Sequence, residues 1–500
     1  MEFLTPEEKR NRTLRFISGY FLVAVAVLLG TFIFVLLVQG YQLSNRKGLV
    51  QNGLVNVESK PVSASIYLNG SLKDKTTARL DLNEGEYELK LQADNYREWS
   101  KKFTLLGGAV RYFVYPKLIP NTIKTETMAT YNAMPLWASE SPDRHWVLSK
   151  TSGQQADFSV FDTTRTDNAA TASQTIIIPS NTLIGSASAY GDFQPVEWAD
   201  DNRHVLLLQT LANGQKNYIV LDREKPDNST SVSKTFSINN DYKVLLRDKK
   251  PNKFYLHNIV SGELTYRDSK NISESVKVAD GVVAFKPYGN DLVLYVTYTN
   301  AADGLANVIV LDNITKIYNL QPVARDVAGN YQLDMAKFDG TWYYVTSSSS
   351  DNKIKIYTNP LDNVEANSKN IAKTRYTLPL DNPMFVSFSD NARFIAVQSG
   401  SKFVVYDGEL KANYRYTVNY SLAKDQKALW MDGHRLKVVE KGMAKIFEFD
   451  GTNGQDLIAS QPNNSFTPYF DRDYNFVYTY TQDTSGKPIL QSGALVYKQP

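Results

Sequence analysis

Trp198 to Asp222 reads WADDNRHVLLLQTLANGQKNYIVLD, and it holds both halves of a pattern that recurs through the chain. The first half is an aromatic residue, a polar turn and an apolar strand. The second is an apolar strand that stops at an aspartate. First halves recur as Trp137-ASESPDRHWVLSK, Phe285-KPYGNDLVLYVTY, Phe338-DGTWYYVTS, Phe388-SDNARFIAVQ, Trp430-MDGHRLKVVE and Phe470-DRDYNFVYTY. Second halves are FSVFD to Asp162, ELTYRD to Asp268, VIVLD to Asp312, FVVYD to Asp407 and KIFEFD to Asp450. KIKIY and ALVYK are versions without the aspartate. A weaker unit surrounds RDKKPNKFYLHN. With it the repeats number eight, spaced roughly 40–60 residues apart, room for about four short strands each. That is the signature of a β-propeller blade, and the spacing predicts a propeller of seven or eight blades. A pair of stacked β-sandwiches is the alternative.

The units at Trp137, Trp198 and Phe388 are similar to the TolB-type propeller repeat, an aromatic followed by a Pro-Asp- or Asp-Asn-type turn and an apolar strand. The resemblance implies blade construction and no particular activity.

Upstream, residues 53–120 alternate tightly between turn residues, which predicts short antiparallel strands with one buried face. ASIYLNG ends at the hairpin signal Asn69-Gly70, and YELKLQA follows the turn Asn83-Glu84-Gly85. This segment resembles the PEGA domain, a small β-sandwich-like module of bacterial and archaeal surface proteins. Gly53–Ser59 with Pro61 matches its opening strand, Ile66–Gly70 its hairpin, Asn83-Glu84-Gly85-Glu86 its name-giving Pro-Glu-Gly-Ala, and Asn95-Tyr96 its Gly-Tyr. Thr76-Thr77, Asn83 and Asn95 depart from the family's Thr-Pro, Pro and Gly. These positions shape turns, and Asn tolerates the left-handed backbone that Gly supplies. The resemblance implies surface display and no catalysis.

Further upstream, Phe16 to Val38 reads FISGYFLVAVAVLLGTFIFVLLV without a charge. As a helix it is roughly 35 Å long, enough to cross a bilayer core. Lys9, Arg10, Arg12 and Arg15 precede it, and only Arg46 and Lys47 follow closely. The positive-inside bias puts the N-terminus in the cytoplasm and the remainder outside. A cleaved signal peptide competes with a retained anchor. The run exceeds a usual signal core and leaves through Gln39-Gly40-Tyr41 with no Ala-x-Ala site, which favours the anchor. A buried helix of a soluble core is the remaining alternative, and the β-rich character of the rest opposes it. A fifteen-residue tail before the span is too short for a folded output domain.

The chain has no cysteine, so there is no disulfide framework, no thiolate metal site and no acylated cysteine. An exported chain without cysteine fits a bacterial envelope. Net charge is +3 with no long basic run, which argues against nucleic acid as a partner.

Chemistry is sparse. His145, His204 and His434 each follow the turn that opens a repeat strand, a place that other units fill with Arg393, Trp342 or Asn475. A once-per-blade position is spread around a ring, so these read as turn residues; His257 reads as a packed or edge residue. The repeat aspartates Asp162, Asp222, Asp312, Asp407 and Asp450 can accept backbone N–H groups in Asx-turns, which explains their recurrence without a substrate. No calcium loop, nucleophile elbow, His-Glu-x-x-His or phosphate loop occurs. No catalytic, cofactor-binding or metal residue is assigned, and no cofactor is expected. Strand aromatics such as Tyr343-Tyr344 read as packing.

The expected organisation is a cytoplasmic tail (1–15), a transmembrane helix (16–38), a juxtamembrane stalk (39–52), a PEGA-like β-domain (53–120) and a β-propeller (121–500). The expected fold is all-β behind one helix. The expected function is non-enzymatic binding or scaffolding of envelope polysaccharide or a surface protein. An anchored propeller hydrolase or lyase on polysaccharide, and an accessory subunit of an envelope export or quality-control complex, are the alternatives.

Overall fold

The structure is a computed structural model; it describes residues 5–38, 41–44, 48–151, 153, 155–164, 172–187, 189–462 and 466–497. The expected anchor exit at Gln39-Gly40, and Lys498 of ALVYK, lie outside the described residues. The chain divides into two compact units, residues 1–122 and 123–500.

In the first unit, helix α1 spans Pro6–Val38, ten residues longer at its start than the uncharged stretch. Pro6 supplies a preset φ at the first helical position, and no later proline interrupts the run. The apolar side chains are exposed, Tyr20 to 74%, Leu28 to 69% and Val38 to 71%. Ser18 Oγ donates to the Arg15 carbonyl (3.0 Å) and Thr31 Oγ1 to that of Val27 (2.8 Å), so both hydroxyls are satisfied within the helix. Past the helix, Tyr41–Ser44 pairs antiparallel with the start of Gly48–Val57, so the described residues of the expected polar stalk are in strands.

Gly48–Val57 also pairs with Ala78–Asn83 and, in parallel, with Val110–Phe113. A second four-stranded sheet runs in the order Ser71–Lys75, Ser65–Leu68, Gly85–Gln92, Trp99–Leu105. One core lies between the sheets: Val55, Val57, Ile66, Leu89, Leu91, Trp99 and Phe113. Leu68 pairs with Ser71, which leaves Asn69 (φ 48°) and Gly70 (φ 81°) as a two-residue turn. Asn95 takes the left-handed conformation at φ 66°, as its place in the motif requires.

Among the described residues, the second unit forms eight consecutive small sheets. Seven have four antiparallel strands, and the fourth carries an extra short strand, Ile371–Ala372. Their first strands are Trp137–Glu140, Asp192–Trp198, Tyr242–Leu246, Val282–Tyr288, Tyr331–Phe338, Phe385–Phe388, Leu429–Trp430 and Tyr469–Phe470. Each first half of the repeat spans the end of a first strand, its turn and the second strand. The weak unit at RDKKPNKFYLHN is the third sheet. The second and third strands are apolar on both faces because both faces are covered. In the second sheet, Val205, Leu207, Ile219 and Leu221 pack toward the first sheet. Leu206, Tyr218 and Val220, one residue out of phase, pack toward the third. Fourth strands such as Ala412–Thr417 return to half-buried alternation.

Every sheet packs on the next. Shared cores join the third to the fourth, the fourth to the fifth and the fifth to the sixth. Phe403 against Phe447 (5.5 Å between ring centres) joins the sixth to the seventh. Thr479 Oγ1 donating to Ala459 O (2.6 Å) joins the seventh to the eighth. The eighth sheet then meets the first through a common core and a bond from Tyr478 Oη to Thr163 O (3.0 Å). Its fourth strand is Thr125–Thr130, from the opposite end of the unit, paired with Pro488–Ala494. The succession of packed sheets therefore closes on itself.

Two sequence assignments are corrected. ALVYK is not the third strand of the eighth sheet; that strand is Pro488–Ala494, set in register by the tight turn in which Asp483 accepts from Ser485 N and Lys487 N. Trp137 and Phe285 are not the counterparts of Trp198. Trp198 pairs with Val205 at the turn end of its ladder, where the first sheet pairs Glu140 with Val147 and the fourth pairs Tyr288 with Leu292. Both aromatics sit three residues earlier, where their rings fill the cores between sheets.

Candidate functional site

In an antiparallel sheet the first and third turns lie at the same end. This end therefore collects the turns between first and second strands together with the repeat aspartates. Asp162, Asp222, Asp407 and Asp450 accept backbone N–H groups as the sequence predicts, while the contact of Asp312 is with Lys316 (3.8 Å). Asp407 Oδ1 accepts from Glu409 N (2.8 Å) and Leu410 N (3.1 Å), Asp222 Oδ1 from Glu224 N and Lys225 N (both 3.0 Å), and Asp162 Oδ1 from Thr164 N (2.9 Å). A second role was not read from sequence. The turn arginine of the same sheet grips the aspartate with two nitrogens: Arg393 on Asp407 (3.0 and 2.7 Å), and Arg203 Nε on Asp222 (2.7 Å) with Nη2 beside it. Asp407 and Asp222 are buried, so each carboxylate is fully used where it stands.

A polar knot forms where the first sheet meets the last three. Arg144 holds a left-handed backbone (φ 62°) in the first sheet's turn. Its guanidinium donates to Asp390 of the sixth sheet, to Met431 O of the seventh (3.0 Å) and to Tyr474 Oη of the eighth. Asp432 accepts from the backbone N–H groups of His434 and Arg435 and from Arg435 Nη1, all at 2.7 Å. Burial pushes the Asp390 carboxyl up, against the pull of Arg144 and with a further push from Asp432. Burial also acts to raise Asp432, but Arg435 and the His434 N–H outweigh it and hold the group low. Burial raises Tyr474 to about 12.

Beneath the knot, Glu140 accepts from Phe470 N (3.1 Å) and pairs with Lys437 Nζ (3.2 Å), whose side chain is only 5% exposed. Glu140 stands where other sheets place an aromatic, so the first sheet substitutes charge for ring at the point where the circle closes.

Two tryptophans repeat one contact. Trp198 Nε1 donates to Ser139 Oγ (3.0 Å) and Trp430 Nε1 to Ser387 Oγ (3.1 Å), in each case one residue before the turn end of the preceding sheet's first strand. Ser139→Ala leaves the Trp198 N–H without its partner and is expected to cost about 1–3 kcal/mol. Ser387→Ala is expected to cost less, since Trp430 keeps the Ser387 carbonyl at 3.4 Å. Urea melts of the two variants would rank them.

The histidines do not converge. His145 lies beside Asp143 (3.4 Å) and His204 beside Asp201 (2.6 Å), in the turns of the first and second sheets. His257 is buried, donates to Val282 O (2.8 Å) and is held low by burial. His434 packs on Phe394, and burial lowers it to about 4 even with Asp432 alongside. Its folded value lies below the ordinary 6.5, so the native state favours the neutral ring. The stabilisation is complete above pH 6.5 and is lost as pH falls from 6.5 toward 4, at up to roughly 1.4 kcal/mol per pH unit. Against a His434→Gln control, the wild type should show this extra acid sensitivity in melts between pH 7 and pH 4. No group of three His, Asp or Glu side chains suited to a metal occurs among the described residues.

The PEGA domain family matches residues 52–113. No curated protein matches the chain in sequence. Solved structures that overlay on it include the dihydro-heme d1 dehydrogenase NirN in complex with DHE (13% identity, TM-score 0.42, 83% of this chain and 76% of that one). Another is the uncharacterized protein lmo1340 of Listeria monocytogenes (11%, TM-score 0.39, 69% and 94%). A third is an oligogalacturonate lyase in complex with manganese (9%, TM-score 0.37, 89% and 98%).

Proposed function

We propose that this is a single-pass membrane protein with its N-terminus in the cytoplasm, displaying a PEGA domain and an eight-bladed β-propeller outside the membrane. The displayed part is a non-enzymatic surface that binds or scaffolds envelope polysaccharide or another surface protein. The observation that carries the reading is α1: a helix holding a 27-residue candidate span, Arg10–Leu36, with none of its most apolar window covered by protein. Side chains such as Phe21 and Leu28, at 68% and 69% exposure, need an apolar surrounding that this chain does not supply. Eight sheets whose last packs on the first support the propeller, and the two-ended eighth sheet supplies the closure such rings use.

A binding role fits the turn end better than catalysis. Asp432 is occupied by its own turn and Asp390 by Arg144, so the knot ties blades together. One observation favours the alternative of an anchored hydrolase or lyase: Asp390 and Asp432 are neighbouring carboxyls pushed in opposite directions, the arrangement of an acid and base pair. Asp390→Asn would abolish polysaccharide cleavage under that alternative and leave glycan capture intact under ours.

The anchor is tested by fractionation. The full chain should stay with membranes through alkaline carbonate and be released by detergent, and a chain lacking residues 5–38 should be soluble. Full chain released by carbonate would refute the anchor.

A further inference from the structure

Tyr41 follows Val38, the last residue of α1, by three chain steps. Three steps span at most about 11 Å, and the polar zone of a bilayer is itself roughly 5–7 Å deep on each side. If α1 crosses a membrane, Tyr41 is held at its surface, and so is Gln51, the residue paired with Tyr41. The turn Leu106–Val110 passes against that same point. A Cβ on Gly107 would stand 3.0 Å from the Gln51 Cβ, and Gly108 N donates to Asn52 O (3.0 Å). Here the first unit exposes apolar side chains: Leu106 to 63% at the turn, then Val110 to 45% and Tyr112 to 53% on the strand that follows. Register places Val110 beside Leu54 and Tyr112 beside Asn56 on the outer face of their sheet, out of phase with the core residues Val55, Val57 and Phe113. The outer face of the other sheet has the opposite character. It carries Glu86, Glu88, Lys90 and Lys102, with Lys90 paired to Glu98 (2.9 Å).

We propose that the first β-unit lies on the membrane surface from which α1 emerges, with Leu106, Val110 and Tyr112 seated at the boundary between headgroups and acyl chains. Apolar side chains at that boundary leave water, and a tyrosine there keeps its ring in the apolar zone and its hydroxyl in the wet one. Arg79 and Asp81, exposed on the strand across the sheet from Asn56 and Leu54, keep the far edge among polar groups. The occupant is lipid because chain connectivity alone brings it: the three-step tether holds this face beside the bilayer in every copy. The inference rests on the anchor reading and adds that no free stalk separates the membrane from the first β-unit.

The test uses four single-cysteine variants of the full chain: Val110→Cys, Tyr112→Cys, Glu86→Cys and Phe34→Cys. All four side chains are exposed, so the labelled chains should melt with the wild type. Each would carry an environment-sensitive fluorophore and be reconstituted into phosphatidylcholine vesicles, with and without a lipid bearing a nitroxide at the top of its acyl chain. Labels at 110 and 112 should emit to the blue of the label at 86. They should also lose on the order of half their intensity to the nitroxide lipid, as expected about 5–10 Å into the boundary, while the label at 86 loses little. Unquenched labels at 110 and 112 beside a quenched label at 34 would overturn the docking and leave the anchor standing. Blue emission at 110 without quenching would mean that protein covers the face, and would overturn it as well. An unquenched label at 34 would refute the anchor itself.

Discussion

Glu140→Ala is expected to destabilise the second unit by about 3–5 kcal/mol, the cost of leaving a buried cation unpaired. The substitution removes the paired carboxylate of Lys437, which is 5% exposed, lies over the rings of Tyr469 and Phe470 and otherwise feels the charge of Asp390. It also removes the acceptor for Phe470 N, on an inner strand of only two residues. Both losses fall at the junction of the first, seventh and eighth sheets. Glu140→Gln keeps the acceptor and drops the charge, so it should fall between alanine and wild type. Urea midpoints of the three proteins provide the check. A loss under about 1 kcal/mol for Glu140→Ala would mean that Lys437 finds water, as an exposed pair would.

Asp407→Ala is expected to have an effect of the same size, about 3–5 kcal/mol, for a different reason. Asp407 is completely buried; its carboxylate caps two backbone N–H groups of its turn and takes both arms of Arg393. Alanine uncaps the turn and strips Arg393 of its principal partner, leaving the more exposed Glu409. Asp450→Ala provides the contrast. Asp450 accepts from Thr452 in an exposed turn, and its loss should cost well under 1 kcal/mol. Equal effects at the two positions would mean that the repeat aspartates act only as turn formers and that the arginine grip adds nothing.

The comparison of Asp407 with Asp450 marks how far the sequence was legible. The turn role of Asp162, Asp222, Asp407 and Asp450 is a local matter, a side chain bonding to N–H groups two or three residues on, so its place follows from the pattern alone. The Asn69-Gly70 turn is legible for the same reason, and so are the units that became eight sheets. What the sequence conceals is long-range. Thr125–Thr130, TETMAT, has no apolar alternation because only one face of a fourth strand is partly covered, and nothing local says that it pairs with residues more than 350 positions away. Arg144 reaches Tyr474 across 330 residues, and no spacing rule connects them. Glu140 is hidden by Trp137: both sit in one short strand, and an eye searching for the repeat's aromatic takes the ring and misses the acid that holds its structural place.

The site was less legible than the fold. The histidines drew attention by being few, yet none meets another. The groups that do meet, Arg144 with Asp390, Met431 O and Tyr474, come from four separate sheets and are brought together only when the last sheets return to the first. Among 52 acids and 55 basic side chains, such pairs cannot be picked out before the sheets are placed.

The central claim, a membrane anchor that holds both β-units outside, can be tested through the chain's lack of cysteine. Thr484→Cys puts one thiol on the exposed turn of the eighth sheet, and Glu7→Cys puts one at the start of α1. Intact cells would be treated with a membrane-impermeant maleimide before and after permeabilisation. Labelling of Cys at 484 in intact cells, with Cys at 7 labelled only after permeabilisation, is the predicted result; the reverse pattern would contradict the account.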